Sequence, residues 1–343
     1  MLQKVSHRLK QTLSTLLHSA VDSASRADIR ALTPEEISEA RAFFPLEKFL
    51  LYGHARSGTT LLMRLLDIHP EIHCSRQAHF FSRPPYLSGF VADPAVAEWL
   101  SRGSVRWNRG QDLSPVVMRA AADFILEREA RRKGARIVGD KSPNSINDGE
   151  AVSQAFQIYP DARIIYILRD GRDAVLSHRF QAFIDATQHL RGEDLKIMAE
   201  FKRDPESFRG PERSLFTKKG LRDYARGWVR NLETTVERGQ ALYAGHFYSL
   251  RYEDLLDKTL AEMRSVWEFL GAAPDFSGWE QAVLETLGHN RDAAWQEQQA
   301  GELAAAIPKG QAGGWRAFFT PDDRRIFVEI AGQMLEKWGY SLD

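Results

Sequence analysis

Short apolar runs alternate with longer segments of helical periodicity along most of the chain. The apolar runs cover residues 48–52, 136–139, 163–168 and 247–250. The helical patterns cover residues 60–68, 114–133, 148–158, 171–183, 221–239, 258–270 and 321–338. Strands that alternate with helices are typical of a mostly parallel sheet with helices on both faces. The pattern therefore predicts an α/β fold in three layers, with a ligand site at the carboxyl ends of the strands.

The N-terminal segment departs from this alternation, and we predict residues 1–46 as a helical extension. Its apolar residues recur at helical spacing with basic residues between them: Leu2, Val5, Leu9, Leu13, Leu16 and Leu17. A basic amphipathic helix can pack on its own domain, on the second subunit of a homodimer or on a membrane surface. The sequence leaves these three possibilities open.

A second departure lies inside the main domain, which we predict over residues 47–343. Residues 184–220 are polar and contain Pro205, Gly210 and Pro211. A long insertion of this kind predicts a substrate loop or lid, although a solvated surface loop has the same composition.

Composition narrows the class of protein. Of 343 residues, 43% are hydrophobic and 27% are charged, which is typical of a soluble globular protein. The 46 Lys and Arg residues balance 46 Asp and Glu residues, so no overall field favours nucleic acid as a partner. The single Cys74 excludes an internal disulfide, and no apolar run has the length of a membrane span. Without a signal-peptide pattern, we expect a cytoplasmic protein.

The residues that follow the first apolar run, 53-GHARSGTT-60, have the features of an anion-binding loop. Gly53 and Gly58 allow close approach of the backbone, and the helix that follows offers free N–H groups and its positive dipole end. The residues that we expect to bind the anion are Arg56, Ser57, Gly58, Thr59 and Thr60. A strand, a glycine-bearing turn and a helix in this order predict a P-loop-like phosphate site.

The loop lacks the lysine of the G-x-x-x-x-G-K-[ST] motif, because Thr59 stands in its place. This absence argues against a Mg²⁺-dependent kinase, and the strand at 163–168 ends in Arg169 rather than in a metal-binding aspartate. A sulfuryl group carries less charge than a terminal phosphoryl group. Fixed N–H groups and basic side chains would therefore suffice to hold it without a metal.

Four segments resemble, in order along the chain, the motifs of sulfotransferases that use 3′-phosphoadenosine-5′-phosphosulfate (PAPS). Residues 52–72 resemble the 5′-phosphosulfate loop, and residues 166–178 resemble the 3′-phosphate motif. Residues 247–256 resemble the strand with its Tyr-Glu-Asp sequence, and residues 308–323 resemble the C-terminal loop that closes on the nucleotide. The motifs are most similar to those of the tyrosylprotein and heparan sulfate sulfotransferase branch.

The resemblance implies a reaction and a set of nucleotide-binding residues. A sulfonate group would pass from PAPS, a cosubstrate, to a hydroxyl acceptor by in-line displacement without a metal. Arg169 and Ser177 would bind the 3′-phosphate, and Lys309 and Gly310 would fold over it. Tyr252 would lie near the adenine, although a core tyrosine would give the same pattern.

The reaction needs a base for the proton of the acceptor and cations for the departing charge. Arg56 is the candidate cation on the leaving-group side, and Lys141 in 139-GDKSPN-144 matches a lysine of several relatives. The base is predicted to be His79, because Gln77 occupies the position at which related sequences carry a carboxylate. His69, His73 and His178 are its competitors.

The sequence leaves other functions open. No spacing of histidine, cysteine and carboxylate residues predicts a metal site. An atypical P-loop kinase is one alternative, and a nucleotide-binding pseudoenzyme that lost its base at Gln77 is another. The acceptor could be a carbohydrate, a tyrosine of a peptide, a lipid, a small metabolite or a carrier-tethered group.

Overall fold

The computed structural model describes residues 29–101, 106–288 and 310–343. Its strands are β1 (Glu47–Tyr52), β2 (Ile72–Arg76), β3 (Ile137–Lys141), β4 (Arg163–Leu168) and β5 (Phe247–Arg251). Its α-helices are α1 (Pro34–Phe43), α2 (Thr59–Leu66), α3 (Pro94–Ser101), α4 (Ser114–Lys133), α5 (Asp148–Ile158), α6 (Gly171–Ile184), α7 (Glu193–Arg203), α8 (Lys218–Tyr243), α9 (Tyr252–Asp257), α10 (Thr259–Leu270), α11 (Trp279–Gly288) and α12 (Pro321–Lys337). The helix predicted from Leu2 to Leu17 lies outside the described residues.

The five strands form one sheet in the order β2-β3-β1-β4-β5, and all four pairs of neighbours are parallel. The α/β prediction is confirmed. β1 lies at the centre, and the chain first extends the sheet on the β3 side and then on the β4 side. Ligands of such sheets bind at the carboxyl ends of the strands where this direction changes. This places the loop after β1 at the favoured position for a site.

Helices cover both faces of the sheet because the side chains of each strand alternate in direction. Leu50 and Tyr52 of β1 point into one core, which α4, α5, α6, α8 and α12 cover. Phe49 and Leu51 point into the other core, which α2, α10 and α11 cover. The central strands are buried on both faces, which is why they are continuous apolar runs in the sequence.

The described part of the predicted N-terminal extension packs on the main domain. The N–H of Leu32 donates to the carbonyl of Gln157 at 2.9 Å, and Ile29 and Leu32 belong to the larger core. α1 begins at a capping box in which Thr33 and Glu36 bind each other's backbone N–H groups.

The insertion at 184–220 contains more structure than its composition suggests. It includes α7, and its Phe201 is fully buried against Phe180 and Phe183 of α6. Arg179 of α6 also donates to the carbonyl of Leu215 at 2.7 Å. The segment is therefore anchored to the main core, and its role as a substrate loop or lid stays a prediction. None of the helices in the described ranges has the length and apolar character needed to cross a membrane.

Candidate active site

The loop after β1 folds tightly against the start of α2. Gly58 has φ 91° and is the residue that precedes α2, whose first turn has no side-chain cap among the described residues. A Cβ atom at Gly58 would lie 2.2 Å from the ring of Tyr252. Only glycine fits this position, both for its backbone angle and for its space. The N–H groups of the first turn of α2 are thus left for a ligand.

The two segments predicted to bind phosphate groups meet directly. The Nε of Arg56 donates to the hydroxyl of Ser177 in α6 at 3.1 Å. Arg169, at the end of β4, donates from Nη1 to the carbonyl of Arg56 at 3.2 Å. These contacts bring two guanidinium groups and a hydroxyl to the same edge of the sheet, as an anion site requires.

Tyr252 and the described part of the C-terminal loop, which starts at Gly310, contact the group formed by Arg56, Arg169 and Ser177. The Tyr252 hydroxyl donates to the carbonyl of Gly310 at 2.7 Å, and Arg169 donates from Nη2 to the carbonyl of Gln311 at 2.9 Å. The Arg169 guanidinium also lies 4.9 Å from the centre of the Tyr252 ring. Five of the residues predicted for the nucleotide are therefore joined in one cluster with Gly58: Arg56, Arg169, Ser177, Tyr252 and Gly310. Lys309 lies outside the described residues.

The C-terminal loop is held by α6 through residues that the sequence did not single out. Asp173 accepts hydrogen bonds from the N–H of Gly313 at 2.6 Å and from the N–H of Trp315 at 2.9 Å. Arg172 lies over the Trp315 ring at 3.9 Å and pairs with Asp170 at 2.8 Å. Asp173 thus binds the C-terminal loop, and Asp170 binds Arg172. The guanidinium of Arg169 donates to the backbone carbonyls of Arg56 and Gln311 instead.

Two buried polar atoms of the cluster have no hydrogen-bond partner among the described residues: the hydroxyl of Ser57 and Nε of Arg169. Burying a polar atom without a partner is unfavourable, so such atoms point to a ligand or to ordered water. Both lie in the segments predicted to hold the phosphate groups of a nucleotide. The residues therefore fit a doubly phosphorylated nucleotide.

Lys141 reaches the loop from the neighbouring strand. It ends β3, its side chain is buried, and its Nζ lies 3.4 Å from the hydroxyl of Thr60 in the first turn of α2. The sheet order explains this contact because β3 lies beside β1. The structure thus places a second cation at the start of α2, opposite the side from which Arg169 approaches.

His79 follows β2 and is buried beside the end of β3. Its Nδ1 lies 2.6 Å from the hydroxyl of Ser82, which is itself fully buried. Burial, with the nearby charges of Arg83 and Lys141, lowers the pKa of His79 to about 4. The imidazole is therefore neutral at pH 7 and can accept a proton.

The competing histidines have other partners. His69 lies between Trp267 and Phe276 and bonds through Nε2 to the carbonyl of Ala273 at 2.9 Å, which is a packing role. His73 lies 3.3 Å from Asp67, near the beginning of β2 and away from its carboxyl end. His178 is beside Ser177, and burial together with Arg56 lowers its pKa. Of these three, His178 alone is near the cluster.

Sequence reasoning missed the residues that support His79. Ser82 holds its ring, Asp140 accepts from the N–H of Ala78, and Ser142 accepts from the N–H of His79. One signal for Asp140 and Ser142 is present in the sequence, because both flank Lys141 in the segment 139-GDKSPN-144. No group of three or more His, Cys, Asp or Glu side chains in the described ranges could hold a metal ion.

A family model described as "Sulfotransferase family" matches residues 49–276. Among the similar curated proteins, the Protein-tyrosine sulfotransferase A of Caenorhabditis elegans is 24% identical over 298 residues, covering 84% of this chain and 66% of the relative. The Protein-tyrosine sulfotransferase 2 of Gallus gallus is 29% identical over 233 residues, covering 68% of this chain and 52% of the relative. The chain thus spans about half to two thirds of the length of these two relatives.

Among solved structures, the sulfotransferase domain of the Synechococcus PCC 7002 olefin synthase is similar, with a TM-score of 0.49 and 16% identity. The match covers 93% of this chain and 98% of that domain.

Proposed function

The chain belongs to the sulfotransferase family, and from this premise we propose that it transfers a sulfonate group from PAPS to a hydroxyl acceptor. The observation that carries the proposal is the bond of 3.1 Å between Arg56 and Ser177. It joins the two segments that would hold the two phosphate-bearing ends of one nucleotide. A kinase would need only the first segment, so the second favours a ligand with a 3′-phosphate.

The residues of the cluster divide into two binding groups. The free N–H groups of α2, the hydroxyl of Ser57 and the guanidinium of Arg56 would hold the 5′ end. Arg169 and Ser177 would hold the 3′-phosphate, and Tyr252 would lie beside the adenine. PAPS supplies an activated sulfonate attached to a phosphate leaving group.

The proton of the acceptor would pass to His79. If Nδ1 carries the hydrogen and donates it to the Ser82 hydroxyl at 2.6 Å, Nε2 remains free to accept a proton. The lowered pKa, about 4, keeps this nitrogen unprotonated at neutral pH. Lys141 and Arg56 would hold the negative charge that develops as the acceptor attacks and the leaving group departs.

We infer a phenolic hydroxyl as the first acceptor to examine. The similar curated proteins of Caenorhabditis elegans and Gallus gallus are both named protein-tyrosine sulfotransferases, which supports a tyrosine side chain of a peptide. Those proteins are longer than this chain, so the acceptor stays a proposal, as does a cytoplasmic location.

The test compares thermal unfolding with 3′-phosphoadenosine-5′-phosphate (PAP), ADP and Mg-ATP at equal concentrations. A ligand at about 100 times its Kd stabilises the folded protein by about 2.7 kcal/mol. We expect PAP alone to raise the Tm clearly. A larger shift with Mg-ATP would contradict the proposal and favour a kinase. A shift with PAP but no release of PAP from PAPS with any hydroxyl acceptor would favour a nucleotide-binding pseudoenzyme.

A further inference from the structure

Two of the three residues that follow β2, at positions 77–79, adopt an unusual backbone. Gln77 has φ 57° and His79 has φ 53°, although neither is glycine. Residues with a side chain occupy this left-handed region rarely, so the surrounding contacts must hold them there. The direction of the His79 side chain depends on this backbone.

Three consecutive N–H groups of this segment bind three consecutive residues at the end of β3. The N–H of Gln77 donates to the carbonyl of Lys141 at 2.9 Å, which continues the pairing of β2 with β3. The N–H of Ala78 donates to Oδ1 of Asp140 at 2.9 Å. The N–H of His79 donates to the hydroxyl of Ser142 at 2.9 Å.

Asp140 controls two of these three bonds. Its Oδ1 accepts from Ala78, and its Oδ2 accepts a short hydrogen bond from the Ser142 hydroxyl. That bond fixes the Ser142 oxygen with its lone pair toward the N–H of His79. Asp140 is 2% exposed, so its contacts are with the protein rather than with water.

We propose that Asp140 is a positioning residue for the transfer reaction, which through Ser142 holds the backbone of His79 so that its imidazole lies at the site. The inference rests on the proposed role of His79 as proton acceptor. Within the described residues, the hydrogen bonds of the Asp140 carboxylate go to Ala78 and Ser142 rather than to the imidazole or to Arg56, Ser177 and Arg169. Its effect on the reaction must pass through the loop.

The position of the imidazole can be measured without any acceptor. Histidine side-chain resonances, assigned with His79→Ala, give the pKa of His79 in the parent and in Asp140→Asn. Burial is the largest cause of the lowered pKa of His79. If Asp140→Asn releases the ring into solvent, the pKa of His79 should therefore rise from about 4 toward 6.5. If Asp140 acted only as a nearby negative charge, its removal would lower the pKa further.

The charged and titratable groups that face residue 140 and His79 are the same in the parent and in Asp140→Asn. Lys141, Tyr52 and Cys74 face Asp140, and Arg83 and Lys141 face His79. Asp67→Asn is the matched control, because Asp67 accepts from the N–H of Cys74 at 2.8 Å in the same strand. We expect this control to leave the His79 pKa unchanged. An unchanged or lower pKa in folded Asp140→Asn would overturn the proposal.

Ser142→Ala is the second variant, which removes the hydroxyl between Asp140 and His79 without a change of charge. Ser142→Ala should also raise the pKa of His79. If Asp140→Asn does not fold, Ser142→Ala tests the proposal by itself. Both variants should keep the Tm shift with PAP, because the nucleotide cluster does not include them. Loss of that shift in the parent would count against the proposed function and would leave the result on the imidazole intact.

The activity arm uses a tyrosine peptide and a double-mutant cycle. If Asp140 acts through His79, adding Asp140→Asn to His79→Ala should lower kcat little further, and the KM for PAPS should stay constant. Independent losses that multiply would contradict the proposal. Asp67→Asn should show no such coupling with His79→Ala.

Discussion

The guanidinium of Arg56 donates to the hydroxyl of Ser177 at 3.1 Å, although 121 positions separate the two residues. Arg56 belongs to the loop after β1, and Ser177 lies in α6, which follows β4. The two strands are neighbours at the centre of the sheet. The contact between Arg56 and Ser177 is thus a direct consequence of the strand order.

Arg56→Ala should remove most of the affinity for PAP. A hydrogen bond to a charged group contributes about 1.5–3 kcal/mol, so we expect Kd to rise about 10- to 100-fold. Titration calorimetry with PAP measures the change. Arg264→Ala is the control, since Arg264 pairs with Asp275 on the surface of α10. An equal loss in both variants would mean that the effect of Arg56 is general rather than local.

Gly58→Ala should abolish PAP binding and lower the Tm. Gly58 and Gly134 both have positive φ, 91° and 72°, so both substitutions strain the backbone by about 1 kcal/mol. Only at Gly58 would the new Cβ collide with Tyr252, at 2.2 Å, whereas Gly134 has open space around it. Gly134→Ala should therefore keep the Tm shift with PAP. If Gly58→Ala keeps it as well, the packing of Tyr252 on the loop does not matter for the site.

Most of the fold could be predicted because the central strands β1 and β4 are uninterrupted apolar runs. β2 was missed as a strand because it is short and its five residues, IHCSR, include polar ones. α7 was missed because its segment is largely polar, and its burial depends on Phe201 packing on α6. Such elements are defined by tertiary contacts, which local periodicity does not record.

The site shows the same division. The sequence brings Arg56, Arg169 and Ser177 into one expected site because the segments that carry them follow two recognisable strands and resemble known motifs, and their binding roles stay predictions. The bonds of Asp140 and Ser142 to the loop of His79 could not be predicted, since they depend on the register of β2 with β3 and on two left-handed residues. The sequence gives neither quantity.

Acid should destabilise the protein through His54. Its ring is buried in the loop after β1, and burial lowers its pKa to about 4. The unfolded chain, with a pKa near 6.5, binds the proton first, so stability is lost as the pH falls from about 6.5 to 4. His54→Gln should reduce this loss by up to about 3 kcal/mol, measured by urea unfolding at pH 7 and pH 4.5. The same substitution at the exposed His189 is the control.

A matching change at His189 would show that burial of His54 is not the cause. We expect the parent and His54→Gln to unfold in one transition with the same dependence on urea concentration, so that the difference in midpoint reports the change in stability.

His79→Ala should lower kcat by about 100-fold or more while PAP binding stays intact, because a general base contributes about that factor. The measurement is release of PAP from PAPS with a tyrosine peptide as acceptor. His69→Ala is the control, since His69 packs between Trp267 and Phe276 away from the cluster. That variant should lose stability but keep its kcat. An unchanged kcat in His79→Ala would mean that another group is the base, and His178, beside Ser177, would be the next histidine to test.

Two buried lysines at opposite ends of the sheet should respond differently to the same substitution. Lys48, at the beginning of β1, pairs with Glu127 at 2.8 Å and with Asp123 at 3.5 Å. Lys48→Met would leave Glu127 with Arg131 and Asp123 with Arg119 as ion-pair partners. We therefore expect the loss of a charged hydrogen bond, about 1.5–3 kcal/mol of stability, and an unchanged kcat in the folded fraction. Lys141→Met should lower kcat by about 10- to 1,000-fold, because its Nζ lies beside Thr60 at the start of α2, where charge would develop. Urea unfolding and PAP release separate the two effects. A kcat that survives Lys141→Met would leave Arg56 as the cation that holds the departing charge.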